Sequence, residues 1–395
     1  MLLTILIAPS GFKESLSPLD VTEAIAVGVQ RAMPGARILR APMVDGGEGF
    51  TQALVGATGG TMHHLSVTGP VGEPVPAFFG FLGGSQARTA VIEIAAAAGL
   101  RLVPRDRRDP TRTTSFGVGE LIRAALDAGA KRLLIGCGDS GVNDGGAGMA
   151  QALGVRFLDE RGEELGFGGG ELSCMARIDS AGLDPRIERT PIDAAVNWHN
   201  VLLGERGVAR VFGPQKGATP AQVAILEARL EIYARRIEEA TGRRVGPQPG
   251  SGASGGLGAG LMALLGARLH PRFDMVMRYL EFETLLCDAD LVMTAEGSLD
   301  GQSLLGKIPC EVARRAKQRG IPVIALAGTI GTGVSETFAH GIDAFTSILR
   351  RPCTLDEAIA DARSLLSSAA EDALRMLAVG IGLEGKTRSP CRRWQ

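Results

Sequence analysis

The segment Gly301-Gln302-Ser303-Leu304-Leu305-Gly306-Lys307-Ile308 carries the most direct chemical message in the chain. It fits G-x-x-x-x-G-K, a loop in which backbone amides and a helix N-terminus hold phosphate while the lysine reaches the outer phosphates. The next position, where Ser or Thr would hold magnesium, is Ile308, so the motif is incomplete. A metal would have to be held elsewhere, and Glu296 and Asp300 just upstream are natural ligands, directly or through water. The competing reading is an ordinary strand-to-helix turn with a solvated lysine.

Asp45-Gly46-Gly47-Glu48-Gly49 places two carboxylates around paired glycines. That pattern suits metal binding or proton abstraction from a hydroxyl. It equally suits an Asp-Gly turn with Glu48 in the first turn of a helix. Gly136 to Gly148 contains Asp139, Ser140, Asn143 and Asp144 among small residues and exceeds what a strand-to-helix connection needs. It implies a ligand close to the backbone, or else turn chemistry alone. Lys13 after the first strand, and Gln215-Lys216 before a capped helix, are phosphate or substrate contacts or else surface side chains. Gly250-Ser251-Gly252-Ala253-Ser254-Gly255 fits G-x-G-x-x-G, but Pro247 and Pro249 precede it where a dinucleotide fold needs a strand. The five histidines show no metal-ligand spacing.

The elements that position these residues alternate between strands and helices, which predicts α/β architecture. Thr4 to Ala8 reads as a strand, followed by a helix with Ser17 as N-cap, Pro18 in its first turn, and Val21, Ile25 and Val29 on its inward face. Arg37 to Ala41 is a second strand, and a β-rich stretch runs from Leu65 to Ile94. Gly117 to Ala128 reads as a helix, Arg132 to Gly136 as a buried strand, and Asp144 opens a helix to Leu153. Ile192 to Val196 is a strand that leads into Asn197-Trp198-His199-Asn200. Thr219-Pro220-Ala221-Gln222 and Thr354-Leu355-Asp356-Glu357 are capping boxes, the first opening a helix that stops at Gly242. Strands at 290–294 and 322–326 flank a helix from Ile308 to Arg319. The basic tail from Lys386 lacks apolar periodicity and is expected to be disordered.

At 395 residues the chain should form two or three domains. A net charge of -1 argues against a nucleic-acid partner. No apolar run approaches the roughly 20 residues that span a bilayer. The N-terminus lacks the basic start and cleavage site of a signal peptide. Six scattered cysteines without a C-x-x-C pair suit free thiols in the cytoplasm.

Taken in order, these segments resemble the glycerate kinase type 1 family, from Ile7-Ala8-Pro9 to the helix after Thr354. The resemblance rests on Asp45-Gly46-Gly47-Glu48-Gly49, Asn143-Asp144-Gly145-Gly146-Ala147-Gly148, Phe212-Gly213-Pro214-Gln215-Lys216-Gly217-Ala218-Thr219, Gly255-Gly256-Leu257-Gly258-Ala259-Gly260 and Asp300-Gly301-Gln302. It implies phosphorylation of D-glycerate, usually at the 2-hydroxyl, by ATP and magnesium. It also implies a discontinuous Rossmann- or flavodoxin-like domain carrying an inserted α/β domain, with the active site in the cleft between them. The crossings are expected near 80 and 275, giving 1–80 with 275–395, and 81–274 inserted. Lys307 and Lys13 are expected at phosphate, Glu296 and Asp300 at magnesium, and Asp45 at the substrate hydroxyl. Gly46, Gly47, Glu48, Asp139, Ser140, Asn143, Asp144, Asn197, His199, Asn200, Gln215 and Lys216 are expected to line the cleft. Gly255, Gly256, Gly258, Gly301 and Gly306 are expected at the nucleotide. Implied partners are ATP and a small hydroxy acid, with neither nucleic acid nor membrane, for a monomer or homodimer.

Three segments depart from the family pattern. Pro-Asp-Ser-Phe-Lys is here Pro9-Ser10-Gly11-Phe12-Lys13, and Gly-Gly-Ser-Ala-Thr-Asn-Asp is Gly138-Asp139-Ser140-Gly141-Val142-Asn143-Asp144. Asp-Val-Asp-Asn-Pro-Leu is Asn197-Trp198-His199-Asn200-Val201-Leu202. Carboxylates lost at Asn197 and His199 should favour an anionic substrate there; the alternative is a surface loop with Trp198 packed beneath it. A kinase of another hydroxy acid, or a binding protein descended from such kinases, are the competing functions.

Overall fold

The structure, a computed structural model, describes residues 3–12, 15–304 and 307–384; Lys13, Gly306 and the tail from Lys386 lie outside them. In chain order the strands are β1 (Thr4–Ile7), β2 (Arg37–Arg40), β3 (Thr61–Thr68), β4 (Pro74–Phe81), β5 (Thr89–Glu93), β6 (Arg132–Gly136), β7 (Arg156–Leu158), β8 (Arg177–Asp179), β9 (Ile192–Val196), β10 (Arg268–Pro271), β11 (Leu291–Leu299), β12 (Val323–Ile330) and β13 (Ala344–Ser347). Two compact units result, Met1–Val44 with Met277–Gln395, and Asp45–Val276. The first crossing therefore falls at Val44, well before the expected 80. The reason is strand pairing: β3 and β4 form an antiparallel hairpin, and β4 continues antiparallel onto β5. That ties the β-rich stretch to the inserted unit.

The discontinuous unit is a parallel sheet in the order β13-β12-β11-β1-β2. Ile5, Leu6, Ile7, Val292 and Met293 in its central strands are fully buried. Each such aliphatic side chain contributes roughly 1.5–3 kcal/mol on leaving water, and consecutive buried positions are what a parallel strand covered on both faces requires. The helix Pro18–Ala32 begins where expected, with the Ser17 side chain accepting from the Asp20 amide, and buries Val21, Ile25 and Val29. It packs against the helix Leu355–Glu384. A Cβ at Gly28 would lie 2.2 Å from the Ser367 carbonyl oxygen, so this crossing requires glycine. The Thr354 and Glu357 side chains exchange hydrogen bonds with each other's amides, as a capping box does.

The inserted unit holds a sheet in the order β10-β9-β6-β5-β4-β3, with β5, β6, β9 and β10 parallel. A small antiparallel pair, β7 and β8, stands apart from it. The helix Pro220–Thr241 starts at the Thr219–Gln222 capping box, buries Leu226, Leu230, Tyr233 and Ile237, and ends at Gly242 in the left-handed region. Parallel β5, β6 and β9 end at Glu93, Gly136 and Val196, and so direct the loops that follow to one edge of the sheet, where α/β proteins place their ligands. Among the described residues no helix is long and apolar enough to cross a membrane.

Candidate active site

In the inserted unit the chain from Asp45 to Thr51 crosses that edge. A Cβ at Gly46 would lie 3.3 Å from both the Ala195 oxygen and the Cys137 nitrogen, and its φ of 86° falls in the left-handed region. Four of the loop's amides are engaged by carboxylates. Gly47 N donates to Asp45 Oδ1 at 3.3 Å, and Glu48 N to Asp139 Oδ2 at 2.9 Å. Gly49 N and Thr51 N donate to the two oxygens of Glu93, at 3.3 and 2.9 Å. Three carboxylates thus hold the backbone, while the Asp45 and Glu48 side chains are exposed. Each carries an arginine: Arg272 Nη1 is 3.3 Å from Asp45 Oδ2, and Arg101 Nε is 3.3 Å from Glu48 Oε1. Asp139 makes its contact from a φ of 50°, a conformation that costs a non-glycine residue free energy and recurs at functional loops.

The Gly136–Gly148 segment turns Ser140, Asn143 and Asp144 inward while Asp139 stays exposed. Ser140, Asn143, Asp144 and Lys216 are all buried. Lys216 Nζ donates to Ser140 Oγ at 2.9 Å, Val142 O at 2.7 Å and Asn143 Oδ1 at 3.3 Å. Burial pushes its amine down to about 7, with Asp144 opposing the shift. Asp144 Oδ2 accepts from Ser115 N and Oγ, both at 2.8 Å, and from Gly148 N at 3.3 Å; Oδ1 accepts from Gly146 N at 3.1 Å. Burial raises this carboxyl, and the donors around it hold it down. These side chains hold the loop from beneath. Gln215 beside Lys216 is exposed.

Gly255 and Gly256 have φ of 74° and 92°. A Cβ at Gly255 would meet the Val142 oxygen at 1.8 Å, at Gly256 the Gly145 Cα at 2.9 Å, and at Gly258 the Gly250 oxygen at 2.1 Å. Chain-on-chain packing therefore accounts for glycine at all three positions. Asn197 to Asn200 does follow β9 at the ligand edge: Asn197 Oδ1 accepts from His199 N at 3.2 Å, and Trp198 is 36% exposed, not packed beneath the loop.

In the discontinuous unit Lys307 Nζ donates to the Ser298 carbonyl at 3.2 Å and lies 3.8 Å from Glu296 Oε2 and 3.7 Å from Asp300 Oδ1. Ser298 Oγ donates to Asp300 Oδ2 at 3.1 Å. Three of the motif's described amides are engaged, Gly301 N with Thr332 O, Ser303 N with Asp300 O, and Lys307 N with Ser303 O, so Gly301 offers no free donor. Among the described residues no three acidic, His or Cys side chains cluster to hold a metal. Two carboxylates around one cationic head nonetheless suit magnesium, which takes one or two protein carboxylates and fills its octahedron with water and phosphate oxygens. Ser10, where the family pattern has an acid, is buried and donates to the Ala295 carbonyl at 3.1 Å.

Sequence reasoning missed Glu93, Arg101 and Arg272. Glu93 had a signal, being the one charge in the run Thr89 to Gly99. Its burial at 1% exposure raises its carboxyl to about 7, against the amides of Thr51 and Gly49 and the Arg101 charge, which lower it.

Parallel sheets whose C-terminal loops present paired carboxylates and cations are the arrangement of an α/β enzyme. Residues 5–378 match the glycerate kinase family, and the chain belongs to that family. It is 47% identical over 369 residues to the glycerate kinase of Halalkalibacterium halodurans, covering 93% of this chain and 97% of that one. It is 46% identical to the glycerate 2-kinase of Escherichia coli K12, covering 95% and 98%. A crystal structure from Salmonella typhimurium LT2, assigned as glycerate kinase 2, superposes with a TM-score of 0.85 at 44% identity, over 96% of this chain and 99% of the other. The protein is a kinase.

Proposed function

We propose that the chain transfers the γ-phosphoryl group of ATP to D-glycerate, at the 2-hydroxyl, to give 2-phosphoglycerate. The observation that carries this reading is the exposed Asp45 carboxylate on a loop held at three points, with an arginine beside it. Relatives at 46–47% identity named glycerate kinase or glycerate 2-kinase support the substrate. Asp45 Oδ2 accepts the proton of the substrate hydroxyl as its oxygen attacks the γ-phosphorus, and ADP leaves. Arg272 and Arg101, each parked on a loop carboxylate, are suited to receive the glycerate carboxylate. Lys307 contacts the transferring phosphate, and Glu296 and Asp300 would hold magnesium. Bound there, magnesium would offset the negative charge of the phosphates. Asn197 and His199 belong to the substrate side and tune which hydroxy acid is accepted. The protein is assigned to the cytoplasm.

The test is ATP turnover with magnesium and a panel of small hydroxy acids, with the product's phosphorus position read by NMR. D-Glycerate should be phosphorylated at C2. No phosphoglycerate above a no-enzyme control refutes the substrate; phosphorylation of a different acid retains the chemistry and replaces the acceptor.

A further inference from the structure

We propose that Glu93 is a positioning residue for the reaction: it clamps the Gly49 and Thr51 amides and so sets the exit of the loop that presents Asp45 and Glu48. This rests on the functional reading above, but its geometry stands alone. The helix Phe50–Thr58 has Gly49 as N-cap, at a φ of 85° and with no side-chain cap of its own. Such a helix start leaves amides unsatisfied unless an acceptor arrives from elsewhere. Glu93 arrives from the end of β5, gives one oxygen to each amide, and receives in return: its own N–H donates to Thr51 Oγ1 at 3.0 Å. The clamp is therefore reciprocal between the strand end and the helix start. Asp139 grips the neighbouring Glu48 amide, so two acids fix consecutive peptides of the loop.

A neutral carboxylic acid cannot do this work. Once protonated, one oxygen carries a hydrogen and faces an N–H, and one of the two bonds is lost. The charges acting on Glu93 are Arg101, which favours the ionised form, and Glu48, which opposes it; those two side chains are paired with each other. Burial brings the Glu93 carboxyl up to about 7, so protonation occurs near neutrality and should loosen the loop as pH falls.

The experiment compares wild type with Glu93→Gln, in which the amide keeps one acceptor and loses the other. Steady-state kinetics for D-glycerate and for ATP are measured across neutrality, with hydrogen exchange at the Gly49 and Thr51 amides and a melting curve as a check of folding. Glu93→Gln should lower kcat/KM for glycerate about tenfold, as loss of one well-placed hydrogen bond does, and leave the KM for ATP unchanged. Its acid limb near neutrality should vanish, and one of the two amides should exchange faster. A folded Glu93→Gln with wild-type kcat/KM and the same acid limb overturns the proposal. If the variant does not fold, wild type decides: an acid limb in kcat/KM for glycerate but not for ATP supports the proposal, and its absence overturns it. If wild type phosphorylates no glycerate, the functional reading fails separately, and amide exchange alone decides whether the clamp exists.

Discussion

Replacing Asp144 with Asn or Ala tests whether this acid holds the loop or takes part in chemistry. The carboxylate accepts four hydrogen bonds inside the protein, from Ser115 N, Ser115 Oγ, Gly146 N and Gly148 N. In Asp144→Asn the amide oxygen should settle at the Oδ2 position, where three donors converge, and the NH2 group then faces Gly146 N. One buried amide is orphaned, at about 1–3 kcal/mol, and the other bonds lose their charge assistance. The sum is on the order of 3 kcal/mol. Asp144→Ala orphans three backbone amides and leaves the Ser115 hydroxyl free to turn, for a loss on the order of 6 kcal/mol. Either value is a large part of the roughly 5–15 kcal/mol that stabilises a domain. Urea unfolding followed by far-UV circular dichroism at neutral pH measures both. Losses under about 1 kcal/mol in both variants, with activity abolished, would refute the structural assignment and return Asp144 to the catalytic set.

Three further outcomes are expected. Lys307→Ala should reduce kcat by roughly 30- to 1000-fold, as removal of a cation from a transferring phosphate costs about 2–4 kcal/mol, and full activity in a folded variant would make Lys307 a bystander to Glu296 and Asp300. The folded-state value of Lys216, about 7, lies below its ordinary 10.5. The unfolded chain then binds more protons between those values, so stability should rise with pH through that window; Lys216→Met should flatten the slope, and an equal slope in both proteins contradicts the burial argument. Asn197→Asp and His199→Asp should raise the KM for the hydroxy acid more than that for ATP, because like charge repels an anion; an unchanged acid KM in both removes this segment from the substrate side.

What the sequence made legible was local chemistry. Ser17, Thr219 and Thr354 cap their helices as read, because a capping side chain acts within three residues of itself. The β-rich stretch was visible too, but its ownership was not. Which sheet accepts the β3–β4 hairpin depends on β4 meeting β5, and no pattern inside residues 61–81 encodes that. The same limit separates inward from outward acids. Asp144 and Asp139 sit five residues apart in one glycine-rich segment and read alike. One is enclosed with Lys216, 72 positions further along, and the other is exposed and reaches the loop at Glu48. Gly255, Gly256 and Gly258 look like a phosphate cradle because glycine serves any close backbone approach, and here the approaching backbone is the protein's own.

The division of acids also explains why the site can be rigid and reactive together. A carboxylate that accepts buried amides is neutralised by them and cannot be moved without orphaning donors, which suits Asp144 and Glu93 to holding. A carboxylate left at the surface keeps unused lone pairs and can accept a substrate proton, which suits Asp45, whose Oδ1 steadies Gly47 while Oδ2 faces Arg272. Asp139 lies between the two kinds, exposed yet engaged with Glu48, and held at a backbone angle that favours glycine. The strained aspartate is sustained because its carboxylate completes the grip on the loop. On the proposed mechanism, the chemistry at Asp45 therefore depends on buried Glu93 and exposed Asp139, which hold the loop that carries it.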